Sequence, residues 1–127
     1  MEANATEPGA RLIHNVFEKL GKIVIDYLEQ DEKVFFTYLE QFSSGKYLVD
    51  LPPRLLEMRK QHTSIKHLFK KLRVFTNNYA VPKQASAALK LCYAQLFNFE
   101  QDVLKHLFLE EDVLFPRLLE LNERQVN

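Results

Sequence analysis

The chain has 127 residues, the length of one ordinary domain, and its 46% apolar and 27% charged residues exclude a mainly disordered state. Seventeen Lys and Arg balance seventeen Asp and Glu, so no basic field is available for nucleic acid or an anionic membrane. Three Gly and five Pro are too few for a turn-rich β-sandwich. No run approaches about 18 uninterrupted apolar residues, so no membrane span is expected. The first twenty residues lack a basic start followed by an apolar run, and no signal peptide is expected. The single Cys92 has no internal disulfide partner, which fits a reducing, cytoplasmic compartment.

Residues 1–9, which end on Pro8 and Gly9, are expected to form a disordered start to a single domain spanning 1–127. A first helix is predicted over about 10–42, carrying the stripe Phe17, Leu20, Val24, Tyr27, Asp31, Val34, Tyr38. Ser43, Ser44 and Gly45 close it. A second helix follows over about 53–78, opened by Pro52 and Pro53, with the stripe Leu55, Met58, His62, Ile65, Phe69, Leu72. Asn77, Asn78 and Pro82 end it. The third, over about 83–121, carries Ala85, Leu89, Cys92, Leu96, Phe99, Val103, His106, Glu110, Val113. Alternating three- and four-residue steps hold one face of each helix against a bundle core.

Helices of roughly 40–60 Å are long for a monomer of this size. Three of them also leave an apolar seam where a fourth would pack. Either they bend or break, Gly21 being one place for it, or a second copy covers the seam. The expected fold class is therefore all-α, an up-down bundle of three long helices completed by dimerisation.

Each stripe is interrupted by a residue type that binds metal. His106 and Glu110 are one helical turn apart on one side. A carboxylate within an apolar stripe is costly unless paired, protonated or bound to a cation. His62 brings a second imidazole from a neighbouring helix, Asp31 a second carboxylate, and Tyr27 either core packing or a further oxygen. Two His with one or two carboxylates and no thiolate suit iron or manganese better than structural zinc. The same residues also fit a buried polar network with no metal. Asp31 and His62 lie at similar distances from the first turn, so an antiparallel pair brings them level. His62 and His106 match less well, and the connection from Asn78 to Lys83 must absorb the difference. His14 and Glu18 read as a solvated pair, His67 as surface or boundary, and Cys92 as core. No Ser–His pairing or glycine-rich phosphate loop is present.

The segment His106-Leu-Phe-Leu-Glu110-Glu111-Asp112-Val-Leu114-Phe115-Pro116 resembles the H-x-x-x-E-E-x-x-L-F-P signature of hemerythrin-like proteins. More narrowly, it is similar to the last helix of the repair-of-iron-centres (RIC) family of di-iron proteins. The resemblance runs back through Asn78 to His62 and covers roughly residues 52–120. It implies His62, His106 and Glu110 as ligands, with Glu110 bridging two irons. Further back, Tyr27 stands where that family has a His, and Asp31 where it has the second bridging Glu. The family's first helix, with its own His, and its small cysteine-bearing N-terminal domain have no counterpart.

The resemblance thus implies a hemerythrin-like bundle binding one or two non-haem irons, with manganese or no metal as alternatives. It implies a role in iron, oxygen or nitric-oxide handling, or in repair of iron–sulfur centres. Its partners would be a diatomic ligand, an iron–sulfur protein or a second copy of the chain. One iron would rest on His62, His106 and Glu110, and a second on Asp31, Tyr27 and the shared Glu110. Glu111 would lie behind a ligand or at the surface, and Asp112 at the surface. The other reading is a metal-free interaction module whose exposed seam binds a partner.

Overall fold

A computed structural model describes residues 8–126. Its elements are α1 (Pro8–Ser43), α2 (Leu51–Phe75), α3 (Ala87–Leu109), a π-helical turn (Glu110–Leu114) and α4 (Phe115–Arg124). Most of the expected N-terminal tail falls outside the described residues, but Pro8 and Gly9 already belong to α1. Among the described residues there is no strand, as the absence of alternating patterning predicts. No helix among them is long and apolar enough to cross a membrane.

α1 runs through Gly21 without a break, so the expected interruption there does not occur. It ends where Gly45 takes φ 75°, a left-handed conformation that glycine adopts without a Cβ clash. The Gly45 N–H bonds the Phe42 carbonyl at 2.9 Å. α2 starts with Pro52 and Pro53 in its first turn, where a missing N–H costs nothing. It stops at Phe75, three residues before the predicted end. The Thr76 hydroxyl donates to the Leu72 carbonyl (2.7 Å) and accepts from the Tyr79 N–H (3.0 Å). Asn77, Asn78 and Tyr79 then take φ of 52°, 60° and 62°, which turns the chain sharply. α3 begins at Ala87, capped by Ser86, whose hydroxyl accepts from the Leu89 N–H at 3.1 Å.

The predicted third helix is not continuous. The Phe115 N–H bonds the Glu110 carbonyl, five residues back, instead of the usual four. Pro116 explains the change, since it has no N–H for the Asp112 carbonyl and its ring crowds that group. The extra residue resets the helix face. Buried positions run Leu89, Tyr93, Leu96, Glu100, Val103, Leu107, Glu110 and then Phe115, Leu118, Asn122. The single five-residue step from Glu110 to Phe115 is the π turn. Extending the three-four rhythm instead put Val113 in the core, and it is 58% exposed.

The core divides into two apolar clusters. One joins Leu20, Val24 and Tyr27 of α1 to Ile65, Phe69 and Leu72 of α2 and Leu96, Val103 and Leu107 of α3. The other joins Tyr38 to Leu51, Leu55 and Met58 and to Phe115 and Leu118. Burial at about 25 cal/mol per Å² makes these clusters the main favourable term. Asn122 locks the second: its amide accepts from the Leu48 N–H (2.8 Å) and donates to the Leu48 carbonyl (2.9 Å). Along each helix the residues between the two clusters are polar, Asp31 on α1, His62 on α2 and Glu110 at the start of the π turn.

Candidate metal centre

Asp31, His62 and Glu110 are all buried, and each offers a ligand atom within 4.8 Å of the others. The antiparallel crossing of α1 and α2 brings Asp31 level with His62, as the turn distances predict. The unequal second crossing also closes, because His62 Nε2 lies 2.9 Å from Glu110 Oε1. Two aromatic rings pack against His62. Phe115 stacks on it at 5.7 Å between centroids, and Tyr27 meets it edge-on at 5.2 Å.

Besides the adjacent Asp31 carboxyl, three side chains reach Glu110. His62 Nε2 reaches Oε1, His106 Nε2 reaches Oε2 at 2.6 Å, and the Tyr27 hydroxyl donates to Oε1 at 3.3 Å. All five predicted residues therefore meet here, but not as grouped in the sequence. His106 does not join the compact three-donor group, and Asp31 takes that place. The His106 side chain is 45% exposed, so it approaches Glu110 from the rim instead of from within the core. The stripe Cys92–Phe99–His106 is correspondingly offset by one residue from the buried stripe Tyr93–Glu100–Leu107. An open cleft of about 550 Å³ lies on that side, lined by Phe35, Leu109, Val113 and Leu114 together with His106 and Glu110.

The electrostatics separate the two carboxylates. Burial, and then the adjacent Glu110 carboxylate, push Asp31 up to about 9. Burial pushes Glu110 the same way, but hydrogen bonds from His62 and Asp31 and the charge of His106 outweigh it and hold Glu110 below its ordinary value. At neutral pH the pair thus keeps one proton, on Asp31, and one negative charge, on Glu110. Burial and the same two carboxylates raise Tyr27, which remains a neutral donor. Asp31 Oδ2 is buried without a hydrogen-bond partner. Such an orphan is rare in a settled polar network, and a cation is one of the few groups that satisfies it. An imidazole and two carboxylates, with a second imidazole and a phenol beside them, match the donor preferences of iron or manganese.

The residues set aside in the sequence lie away from this centre. His14 and Glu18 form an exposed ion pair at 3.2 Å, His67 is exposed, and Cys92 is half-buried with its thiol pushed up by burial. A third buried carboxylate, Glu100, lies outside the predicted ligand set. Glu100 accepts from Arg73 Nε (2.6 Å) and from the Tyr79 hydroxyl (2.7 Å). Its step of three or four from Leu96 and Val103 is the signal that marks it. Glu111 is nearer the centre than a surface residue, with Oε1 3.0 Å from His62 Nδ1 and Oε2 3.3 Å from Lys66 Nζ.

Over residues 1–118 the chain matches the hemerythrin HHE cation binding domain. It is 24% identical over 106 residues to the iron-sulfur cluster repair protein ScdA of Staphylococcus epidermidis, covering 84% of this chain and 47% of that one. A probable iron-sulfur cluster repair protein of Haemophilus influenzae is 28% identical over 103 residues, 80% of this chain and 44% of its own. The iron-sulfur cluster repair protein YtfE of Escherichia coli is 25% identical over 93 residues, 73% and 40% of the two chains. The chain spans about half the length of these curated relatives. No solved structure matches it significantly. The domain match extends well before residue 52, where the resemblance in the sequence starts, and takes in Tyr27 and Asp31. It includes every element that meets at the polar layer, and the chain belongs to the hemerythrin HHE cation-binding domain family.

Proposed function

We propose that this chain is a non-haem iron protein serving iron–sulfur centre repair, with Asp31, His62, Glu110, His106 and Tyr27 around the metal. The observation that carries the reading is the buried Asp31–His62–Glu110 layer with its orphaned Asp31 oxygen. A closed, metal-free network would leave that oxygen paired, which is why the interaction-module reading is less well supported. Asp31, His62 and Glu110 hold one ion, and the second Glu110 oxygen with His106 offers a place for another. Bound iron would supply redox chemistry and an open position for a diatomic such as oxygen or nitric oxide. The chain's own residues do the rest. Glu110 carries the compensating charge, Asp31 gives up its proton to bind, and Phe115 and Tyr27 hold the His62 ring.

The relatives' names support an iron–sulfur protein as partner, and the unpaired Cys92 supports a reducing cytoplasm. Exposed Phe36, Leu39, Leu109 and Val113 support a homodimer.

The test is metal loading without oxygen. The full chain is given ferrous iron, and bound metal is counted by elemental analysis, with absorption spectra before and after air. The expected result is one or two irons per chain with new near-ultraviolet bands, both lost in His62→Ala. A folded helical protein with iron at background overturns the proposal.

A further inference from the structure

The balance of charge over the whole chain conceals a local imbalance. Between Glu57 and Glu100 there is no Asp or Glu, and eight Lys and Arg stand in that stretch. It forms most of α2, the connection after it and the first half of α3. The antiparallel crossing sets its α2 part beside the first half of α1, which adds Arg11, Lys19 and Lys22. Glu18 on that half is already paired with His14 at 3.2 Å. This end of the bundle therefore carries a positive local field.

An apolar groove of about 300 Å³ lies between α1 and α2 at the same end. Buried Ile13 and Leu72 make its floor, and half-exposed Ile23 and Phe75 its walls. Its two polar residues are Lys19 from α1 and Lys71 from α2, both exposed, and neither makes an ion pair among the described residues. A mostly apolar cleft with a few convergent polar groups, set between bundle helices, has the make-up of a small-molecule site. None of the five residues around the metal centre except those on other faces of the same helices comes near it, and none lines it.

Size and charge select the occupant. The groove follows α1 from Ile13 to Ile23, roughly 15 Å, which suits an extended alkyl chain of about ten to twelve carbons. A helix, about 10–12 Å across with its side chains, is too thick to enter. A flat bilayer surface does not reach the floor. Two ammonium groups on opposite walls, with no free acid from α2 beside them, favour an anionic head at the mouth. We propose that this groove binds a free fatty-acid carboxylate, with the alkyl tail along the α1–α2 floor and the head between Lys19 and Lys71. The site is separate from the metal centre and stands without the metal-binding reading.

The experiment titrates dodecanoate, below its micelle concentration, into the full metal-free chain by calorimetry. The expected result is one saturable site per chain, with methyl shifts in the ¹³C-labelled protein confined to Ile13, Ile23, Leu72 and their neighbours. Shortening the tail from twelve to eight carbons should lose about fourfold in affinity per methylene. Lys19→Glu with Lys71→Glu should weaken dodecanoate about tenfold and leave uncharged dodecanol within about twofold. Ile23→Asp, at an exposed position that leaves the core intact, should weaken both. No saturable binding up to the solubility limit overturns the proposal. Equal affinity for dodecyltrimethylammonium overturns it too, since the lysines then select nothing. Shifts at Leu109 and Val113 instead place the ligand in the cleft beside the metal centre, and the proposal fails. It also fails if the chain binds phosphatidylglycerol vesicles but not monomeric dodecanoate, which makes this end a membrane-facing surface.

Discussion

α3 and its π turn carry two buried glutamates, and their surroundings differ in kind. Glu100 faces a guanidinium and a hydroxyl. Arg73 reaches it at 2.6 Å, stacks over Tyr79 at 5.0 Å, and Tyr79 donates to the other oxygen at 2.7 Å. Every partner is a strong donor, and Arg keeps its charge at any accessible pH. Glu110 faces two imidazoles and a weakly placed phenol, next to a second carboxyl group with an orphaned oxygen. The first arrangement is complete as it stands and pins the α2–α3 connection. The second is made of groups that exchange protons and partners. A buried acid met by a permanent cation needs nothing further, whereas one met by imidazoles and another acid keeps groups able to exchange a proton for a cation.

The comparison predicts its own largest effect. Glu110→Ala should bring bound iron to background, whereas Glu100→Ala should keep iron per chain and cost on the order of 2–3 kcal/mol of stability. Elemental analysis and urea unfolding of the two variants separate the roles. Iron retained in Glu110→Ala, or lost in a folded Glu100→Ala, reverses the assignment.

The next effect concerns pH. Asp31 is held at about 9 in the fold, against an ordinary value of 3.8. The folded chain therefore binds an extra proton between those limits, and its metal-free stability falls as pH rises through that window. Glu110, lowered from 4.5, acts below that pH and does not offset the trend near neutrality. Metal must displace the Asp31 proton, so affinity should rise about tenfold per pH unit up to the folded value. Thermal melts of the metal-free chain and metal titrations across pH 6–9 measure both slopes. In Asp31→Asn both slopes should flatten, and unchanged slopes there would remove Asp31 from the centre.

The smallest contrast is between the two tyrosines. Tyr79→Phe removes a short bond to a buried carboxylate and should cost about 1.5–2 kcal/mol. Tyr27→Phe removes a long one, 3.3 Å, and should cost about 0.5 kcal/mol or less in the metal-free chain. Paired denaturation curves read the difference. A larger loss in Tyr27→Phe would mean that the metal-free centre is as rigid as the Arg73 latch.

Much of this was legible in the residues. Pro52, Pro53, Gly45 and Ser86 mark helix ends through backbone chemistry that acts within a few residues. Asp31, His62 and Glu110 stood out because a ligand type in an apolar stripe needs a reason. Glu100 is hidden in the pattern because two apolar rows one residue apart, one through Cys92 and Phe99 and one through Tyr93 and Glu100, share Leu96 and Val103. Val113 reads as core in the sequence because nothing local announces that Pro116 lengthens the preceding turn.

The sequence by itself determined where the helices lie and which residue types could serve a metal, because periodicity and capping are local. Only the tertiary structure decided how those residues group. Rotation of one helix face against another depends on the π turn, and relative height depends on the left-handed run Asn77–Tyr79. These set His106 on the rim, Asp31 beside Glu110 and Glu111 behind His62, since a few degrees of rotation or one residue of register moves a side chain from one neighbour to the next.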